Sequence, residues 1–351
     1  MKKKIGLIGI GNRPFPKNFK NSNWDGWIEN LKHSNDFKIV SISDNNIEQL
    51  DKFRKKSDIK NIKLYTSTNK MLNENKMDAV IICSPAKNHL KDIKICLKKN
   101  IKILIEKPCV QTVKQAKEII SLKKNNLISV VQNWRFKDNS IIIKKNLDKK
   151  KIGRIGQIFF RYLRNREKIK YSNYIYKEKY PTLYAMGSHH IDLFRFILQD
   201  EITKVHCLSF KPFWSKYKYD TSQSVLLITK KGTYISYTTT FSSKNEDIAQ
   251  ESMIIEGKKG YIYNDSDWFE PPVFLFKKKK IELTKHIKKA LRSIRAQNNI
   301  SDKRILNNFA KFVNNEKSDH TKFIDSVRSI AVLEAIIKSV KLKKMVIVEK
   351  I

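Results

Sequence analysis

The sequence predicts two domains: an α/β N-terminal domain with a parallel, doubly wound sheet, and a C-terminal α+β domain with a large, mostly antiparallel open sheet. Over about the first 130 residues, short apolar runs alternate with helix-period patterns, as expected for parallel strands covered on both faces. Beyond Arg135, strand patterns are separated by lysine-glycine turns such as Lys230-Lys231-Gly232, which are typical of antiparallel hairpins. We therefore expect one domain over residues 1–133 and a second over residues 134–351.

The N-terminal domain is expected to alternate strands with helices in chain order. Its predicted strands cover residues 5–10, 38–43, 63–65, 79–83, 101–105 and 128–132. Its predicted helices cover residues 24–32, 46–56, 89–99 and 113–124. Such a sheet presents the carboxyl ends of its strands at one edge, where open α/β sheets bind ligands.

The C-terminal domain is expected to be built mainly from hairpins. Its predicted strands cover residues 157–163, 204–210, 224–229, 233–241, 251–256 and 261–264. Its predicted helices cover residues 189–198, 283–295 and 323–341, and we expect the last to pack against the domain interface. The basic helix at 283–295 carries Ile287, Leu291 and Ile294 on one face. We interpret that stripe as facing the core, with a membrane surface or an acidic partner as the alternative.

The charge balance is strongly basic, with 72 Lys+Arg against 34 Asp+Glu in 351 residues and a formal net charge of +38. Only 12 of the basic residues are Arg, the side chain best suited to paired hydrogen bonds with phosphates and bases. Because the lysines are spread along the whole chain, we favour a composition bias of the source organism. Nucleic-acid binding is the minor alternative, and we expect no nucleic-acid partner.

Membrane, metal and disulfide classes are not indicated. No apolar run approaches the roughly 20 residues that cross a bilayer, and glycines interrupt the first apolar run before the core of a signal peptide could form. Four separated cysteines without a histidine cluster argue against zinc sites and disulfides. They are Cys83, Cys96, Cys109 and Cys207. We expect a cytoplasmic protein with no metal and no membrane partner.

A glycine-rich turn follows the first predicted strand, with the sequence Gly9-Ile10-Gly11-Asn12-Arg13-Pro14. In a dinucleotide-binding fold the first glycine permits a tight turn and the second lets the backbone approach a pyrophosphate. Pro14 stands where the third glycine or alanine would be, which weakens the motif. We predict cofactor contacts from Gly9, Gly11, Asn12 and Arg13.

Asp44 ends the second predicted strand, where an acidic side chain can accept hydrogen bonds from an adenosine ribose. Its charge would repel a 2′-phosphate, so we expect NAD in preference to NADP. Asp44 lies further along the chain than is usual because the segment over residues 12–23 is long. The alternative is a solvated turn formed by Asp44, Asn45 and Asn46.

Several further motifs occur in a characteristic order. They are Cys83-Ser84-Pro85-Ala86-Lys87-Asn88-His89, Glu106-Lys107-Pro108, Val131-Gln132-Asn133-Trp134-Arg135-Phe136, Gly153-Arg154-Ile155-Gly156, Gly187-Ser188-His189-His190-Ile191-Asp192 and Asp325-Ser326-Val327-Arg328. Together with the glycine turn and Asp44, this order resembles the Gfo/Idh/MocA oxidoreductase family over nearly the whole chain. The resemblance implies an NAD-binding Rossmann domain followed by an α+β domain for substrate and oligomer contacts.

The resemblance implies that Lys107 and His189 are the catalytic residues. Lys107 would lie beside the nicotinamide and the reacting hydroxyl, often with a cis peptide to Pro108, and would stabilise a developing alkoxide. His189 would act as the general base, because imidazole takes a proton near neutral pH. The alternative for His189 is a polar residue at a helix cap. The predicted cofactor site also includes Cys83, Ser84, Pro85, His89, Glu106, Lys107, Asn133 and Arg135.

The expected reaction is hydride transfer between the nicotinamide and a hydroxyl-bearing carbon of a sugar, nucleotide sugar or cyclitol. Predicted substrate residues are Arg161, Tyr162, Arg164, Tyr184, His190 and Asp192, with structural ion pairs as the alternative for the arginines. Many family members have Asp four residues before the histidine, where this chain has Ala185. That departure argues weakly for a sugar or nucleotide sugar and leaves open a non-catalytic member. Family members commonly form dimers or tetramers, so we expect a homo-oligomer.

Overall fold

A computed structural model of the chain describes residues 1–16, 25–59, 61–167, 175–244, 251–264, 273–276, 279–282 and 294–351. Most of the predicted helix at 283–295, including Ile287 and Leu291, lies outside the described residues. So does Trp24, where another helix was expected to begin. The chain divides into two compact units: residues 1–136 with 294–330, and residues 137–293 with 331–351.

The strands and helices of the described residues are numbered in chain order. The strands are β1 (Lys3–Ile8), β2 (Phe37–Ser43), β3 (Lys63–Tyr65), β4 (Ala79–Ile82), β5 (Lys102–Ile105), β6 (Ile128–Val130), β7 (Ile155–Leu163), β8 (Ile202–Phe210), β9 (Ser222–Thr229), β10 (Tyr234–Thr240), β11 (Glu251–Gly257), β12 (Gly260–Asn264), β13 (Val273–Phe276), β14 (Lys279–Glu282) and β15 (Val346–Ile347). The α-helices are α1 (Trp27–Lys32), α2 (Ile47–Lys56), α3 (Thr68–Glu74), α4 (Ala86–Lys98), α5 (Val113–Ser121), α6 (Asp138–Asp148), α7 (Ser188–Leu198), α8 (Ile294–Val313) and α9 (Phe323–Leu342).

The first unit contains a parallel sheet of six strands in the order β3-β2-β1-β4-β5-β6, which is the strand order of dinucleotide-binding domains. Strand β4 is buried along its whole length, as predicted from its unbroken apolar sequence. Asn46 caps the N-terminus of α2, because its side chain accepts a hydrogen bond from the backbone N–H of Glu48. The predicted α/β class is confirmed.

Helix α8 belongs to the first unit, although the predicted boundary put its residues in the C-terminal domain. Its apolar side chains Ile305, Leu306 and Phe309 join the core cluster of the parallel sheet, and the ring of Phe309 stacks on Phe37 with 5.7 Å between centroids. The physical reason is that burying this stripe against the sheet removes it from water. Nothing in the sequence indicated that α8 packs on the parallel sheet, because the two are far apart along the chain.

The second unit contains a nine-stranded sheet in the order β14-β13-β12-β11-β7-β10-β9-β8-β15. Strands β7 and β10 pair in parallel, and the other neighbours pair antiparallel. This confirms the mostly antiparallel class and adds β13, β14 and β15 to the predicted strands. Helix α7 packs on the sheet, with the Phe194 ring 5.2 Å from that of Phe160 on β7.

Helix α9 confirms the predicted final helix to within one residue, and the division into units runs inside it, after Ile330. Its predicted packing at a domain interface stays a prediction. Across the described ranges, no helix combines the length and apolar character that a membrane span requires.

Candidate functional site

The glycine turn lies directly after β1, at the carboxyl edge of the parallel sheet. Gly9 has a φ of +86°, and a Cβ there would lie 2.5 Å from the backbone nitrogen of Ser84, so only glycine fits. Its backbone N–H donates to the Ser43 carbonyl at 2.7 Å. Among the described residues, its two chain neighbours aside, no heavy atom lies within 4 Å of a Cβ built on Gly11. The backbone at Gly11 is therefore open to a ligand, as a pyrophosphate site requires.

The close-packing role of the third glycine is taken by Gly26, which the sequence analysis missed. Gly26 has a φ of +88°, and a Cβ there would lie 2.5 Å from the Pro14 carbonyl oxygen. That carbonyl accepts the backbone N–H of Ile28 at 3.1 Å, so Pro14 packs on the start of α1. Pro14 is therefore accommodated in the turn. The available signal was a glycine just before the helix that begins at Trp27.

Asp44 connects the glycine turn to α2. Its Oδ2 accepts the backbone N–H of Ile10 at 2.8 Å, and its Oδ1 accepts the backbone N–H of Asn46 at 2.9 Å. These bonds fix the carboxylate at the same edge as Gly9 in spite of the long separation in sequence. A carboxylate has about four acceptor positions, so the two hydrogen bonds leave capacity for a ribose diol.

A cleft of about 230 Å³ opens between Gly9 and Asp44 in the first unit. Its walls include Gly9, Asp44, Asn45, Thr68, Ser84 and Asn88. The volume is below the roughly 300–1,000 Å³ of complete small-molecule sites, so it accommodates part of a dinucleotide. The open backbone at Gly11, the acidic strand end and the polar walls fit a nucleoside with its phosphates.

A cluster of side chains lies beside the turn and consists of Arg13, Glu106, Trp27 and Asp302. The Nε of Arg13 lies 2.9 Å from Oε1 of Glu106, and its Nη2 lies 2.7 Å from Oδ1 of Asp302. Trp27 donates its Nε1–H to the same Glu106 oxygen at 2.8 Å, and the guanidinium lies 4.6 Å from the Trp27 ring centroid. Burial raises the pKa of Asp302, and the charge of Arg13 opposes this shift. The predicted cofactor residues Arg13 and Glu106 thus fix each other. Trp27, predicted to lie over the phosphates, joins them, and Asp302 was missed.

Lys107 follows β5 at the carboxyl edge and is half-buried. Its peptide bond to Pro108 is cis, as the resemblance implied. Because Glu106 precedes it, the Arg13 cluster fixes one immediate neighbour of Lys107.

His89 lies behind this edge. Its side chain is 1% exposed, with Nδ1 2.8 Å from the Pro108 carbonyl oxygen and Nε2 2.8 Å from the Ser84 carbonyl oxygen. Ser84 Oγ donates in turn to Oδ2 of Asp92 at 2.5 Å. The ring of His89 therefore supports two segments of the predicted site, whereas a direct cofactor contact was predicted for it.

The remaining predicted cofactor residues occupy loops of the first unit. Asn12 is exposed in the glycine turn, and after β4 Cys83 is half-buried and Pro85 is exposed. Burial raises the pKa of the Cys83 thiol well above its ordinary range. Asn133 and Arg135 lie in a 3-10 turn after β6, and Arg135 Nη1 is 3.8 Å from Oδ2 of Asp325.

In the second unit, a π-helical turn over Leu183–Gly187 leads directly into α7. His189 is the second residue of α7 and is 8% exposed. A Cβ on Gly187 would lie 2.8 Å from Cδ2 of Leu333, so a larger residue there would require the Leu333 side chain to shift. Tyr184 in the same turn is 49% exposed. Single π-turns often mark functional sites, a signal that residue types alone could not give.

His190 belongs to the core of the second unit. It is 0% exposed, and its Nδ1 lies 2.8 Å from the Tyr237 hydroxyl. Its ring is 4.9 Å from Phe160 and 4.8 Å from Tyr162, measured between centroids. Tyr162 and Asp192 are likewise buried. These three residues were predicted to contact substrate, but the structure buries them. His190 and Tyr162 pack against each other between α7 and the sheet, and Asp192 Oδ1 lies 3.9 Å from Nη1 of Arg195 on the same helix.

Ion pairs account for part of the predicted basic substrate site. Arg164 Nη2 lies 3.1 Å from Oε2 of buried Glu251. Arg166, which was not among the predicted substrate residues, donates a hydrogen bond from Nη2 to the Tyr162 hydroxyl at 2.9 Å. For Arg164 this matches the structural alternative. Arg161 is half-buried near the end of β7. Over the described residues, no group of three or more His, Cys, Asp or Glu side chains could hold a metal ion.

The chain matches two domain families over most of its length. The "Oxidoreductase family, NAD-binding Rossmann fold" matches residues 3–132, and the "GFO/IDH/MocA C-terminal domain" matches residues 142–263.

Individual proteins show the same similarity. The protein y4oX of Sinorhizobium fredii is 24% identical over 261 residues, which cover 73% of this chain and 70% of y4oX. The WlbA dehydrogenase of Bordetella pertussis in complex with NADH and UDP-GlcNAcA has a TM-score of 0.83 at 17% identity, covering 100% of this chain and 99% of its own. The myo-inositol dehydrogenase of Lactobacillus casei in complex with NAD(H) and myo-inositol has a TM-score of 0.77 at 19% identity, covering 100% and 98%.

At such identities the structural similarity shows the shared fold. The two domain matches occur in the order in which the motifs follow one another along the chain. The chain therefore belongs to the Gfo/Idh/MocA family of NAD-binding oxidoreductases.

Proposed function

We propose that this protein is an NAD-dependent oxidoreductase that transfers a hydride between the nicotinamide and a hydroxyl-bearing carbon of a sugar, nucleotide sugar or cyclitol. The observation that carries the proposal is the cleft between Gly9 and Asp44 at the carboxyl edge of the parallel sheet. The two solved relatives described above, one with UDP-GlcNAcA and one with myo-inositol, support the substrate class.

Cofactor binding is assigned to the glycine turn and Asp44. The open backbone at Gly11 receives the pyrophosphate. Asp44, held by the N–H groups of Ile10 and Asn46, accepts the ribose hydroxyls and disfavours a 2′-phosphate through its charge. NAD is therefore the preferred cofactor.

Catalysis is assigned to Lys107 and His189. The bound nicotinamide supplies the hydride chemistry. The ammonium of Lys107 donates a hydrogen bond to the reacting oxygen and stabilises its developing negative charge. His189 takes the hydroxyl proton in the direction of oxidation and returns it in reduction. Exposed Tyr184, one turn before His189, and half-buried Arg161 are assigned to substrate contact.

We also assign a cytoplasmic location and a homo-oligomeric state. The sheet of the second unit has one face bearing exposed Phe159, Leu208, Phe210 and Tyr234. Apolar surface of this kind is stabilised when a partner excludes water from it, and a second copy of the chain is the partner we assign.

A non-catalytic, cofactor-binding protein is the second candidate. Ala185 favours it, because this chain has no carboxylate four residues before His189 to orient the imidazole.

A substrate screen separates the two candidates. The purified full chain is incubated with NAD and a panel of sugars, nucleotide sugars and cyclitols, and nicotinamide absorbance is followed, with Lys107→Ala as the control. We expect turnover with at least one member and strongly reduced turnover in the variant. NADH binding without turnover on any member would establish the non-catalytic candidate instead.

A further inference from the structure

The ring of His89 joins two chain segments that end at the carboxyl edge of the parallel sheet. We propose that His89 is a positioning residue that holds the cofactor-lining segment at Ser84 and the catalytic segment at Lys107 in fixed register with each other. The two hydrogen bonds of its ring to main-chain carbonyls carry this inference. The catalytic part rests on the proposed function, whereas the geometric part does not.

The connection is short on both sides of the ring. Nε2 lies 2.8 Å from the carbonyl oxygen of Ser84, a residue of the cleft wall. Nδ1 lies 2.8 Å from the carbonyl oxygen of Pro108, the residue immediately after Lys107. The ring is 1% exposed, so water does not compete for these carbonyls. His89 stands on α4, whose Ile93 and Cys96 are fully buried, so its own position is fixed by packing.

The chemistry of the two contacts explains why histidine suits this position. A carbonyl oxygen only accepts hydrogen bonds, so each contact requires an N–H on the ring. The two ring nitrogens of a histidine lie on different sides of the ring, so one side chain reaches both carbonyls. Asp92 lies one turn further along α4 and accepts the Ser84 hydroxyl. The same helix therefore holds Ser84 at two atoms, its carbonyl through His89 and its hydroxyl through Asp92.

Glu106, the residue before Lys107, is held by contacts that do not involve His89. Glu106 accepts hydrogen bonds from Arg13 and Trp27, while the Pro108 carbonyl is held by His89. Lys107 therefore stands between two anchored residues. Preorganised charged groups of this kind stabilise a transition state without having to reorganise during the reaction.

Two variants of His89 test its contact to Ser84 and its contact to Pro108 separately. In His89→Asn the amide nitrogen takes the place of Nδ1 and keeps the contact to Pro108. In His89→Gln the amide nitrogen takes the place of Nε2 and keeps the contact to Ser84. His33→Gln is the matched control, because the His33 side chain is 70% exposed on the surface of the same unit.

The direct measurement is backbone amide hydrogen exchange of the purified full chain, followed in peptides covering residues 82–86 and 105–110. We expect His89→Asn to raise exchange in the first peptide only and His89→Gln in the second only, with no change for the control. Equal increases in both peptides, no increase in either, or unfolding of both variants would overturn the positioning role.

NADH titration supplies the functional readout. We expect His89→Asn to weaken NADH binding about tenfold, as for the loss of one positioning hydrogen bond, and His89→Gln to retain near wild-type affinity. With a substrate from the screen, His89→Gln lowers kcat at an unchanged KM for NAD. The exchange experiment does not depend on enzyme activity. If the wild-type protein does not bind NADH, the proposed function is refuted, but the exchange pattern still tests the positioning role of His89. Equal NADH affinity in both variants would contradict the assignment of Ser84 to the cofactor side.

Discussion

The edge of the parallel sheet and the start of α7 use the predicted functional residues in different ways. At the sheet edge, Asp44 and His89 converge through hydrogen bonds to main-chain atoms of neighbouring loops. On α7, the adjacent residues His189 and His190 diverge: His190 is fully buried among aromatic rings of the core, whereas His189 is 8% exposed. Parallel strands end together, so residues after them meet. A helix turns about 100° per residue, so neighbours along it face different surroundings.

The largest expected effect comes from replacing the catalytic residues. His189→Ala and Lys107→Ala should each lower turnover by about 10²–10⁴, because a positioned proton-transfer group or charge donor is lost. NADH affinity and the free energy of unfolding should change little. Turnover on the substrate found in the screen, together with an NADH titration, measures this. Unchanged turnover in both variants would remove the catalytic assignment.

Replacing the adjacent residue His190 should lower the stability of the fold, in contrast to the loss of turnover expected for His189. His190→Ala leaves a cavity between Phe160 and Tyr162 and removes the partner of the Tyr237 hydroxyl. We expect the free energy of unfolding to fall by about 2–4 kcal/mol, measured by urea denaturation. His189→Ala is the comparison, with a smaller expected loss because His189 is the less buried of the two side chains. Similar losses in the two variants would contradict the division of roles on α7.

The glycine turn offers a matched pair at the sheet edge. Gly9→Ala forces a Cβ against the backbone of Ser84 at a positive φ, so we expect a loss of about 1–3 kcal/mol in the free energy of unfolding. Gly11→Ala enters open space and should stay within about 0.5 kcal/mol, yet weaken NADH binding by obstructing the phosphates. Calorimetry and NADH titration check the pair. Equal stability of the two variants would show that the turn is looser than described.

Asp44→Asn should give the smallest effect. The amide removes the charge that favours ribose hydroxyls, so we expect NADH to bind roughly 10-fold more weakly and NADPH to bind no worse than before. Asp51→Asn on exposed α2 is the control, since its carboxylate pairs with Arg54 on the helix surface. Retained discrimination between NADH and NADPH in Asp44→Asn would assign Asp44 to the turn alone.

The features that could be predicted from the sequence are those that a short stretch of consecutive residues determines. Strand β4 was recognisable from its unbroken apolar run, and Asp44 from its place directly after a predicted strand, because both signals lie in consecutive residues. Long-range partners were not recognisable. Arg13 meets Asp302 across 289 positions, Gly26 replaces a glycine expected at position 14, and α8 joins the first sheet because of packing alone. The π-turn before His189 also has no residue-type signature.

The most direct test of the central claim is a titration of the purified chain with NADH and NADPH, followed by nicotinamide fluorescence. The proposed cofactor site predicts saturable binding of NADH, with NADPH bound about tenfold or more weakly because of the Asp44 charge. Failure to bind either nucleotide, or a preference for NADPH, would contradict it.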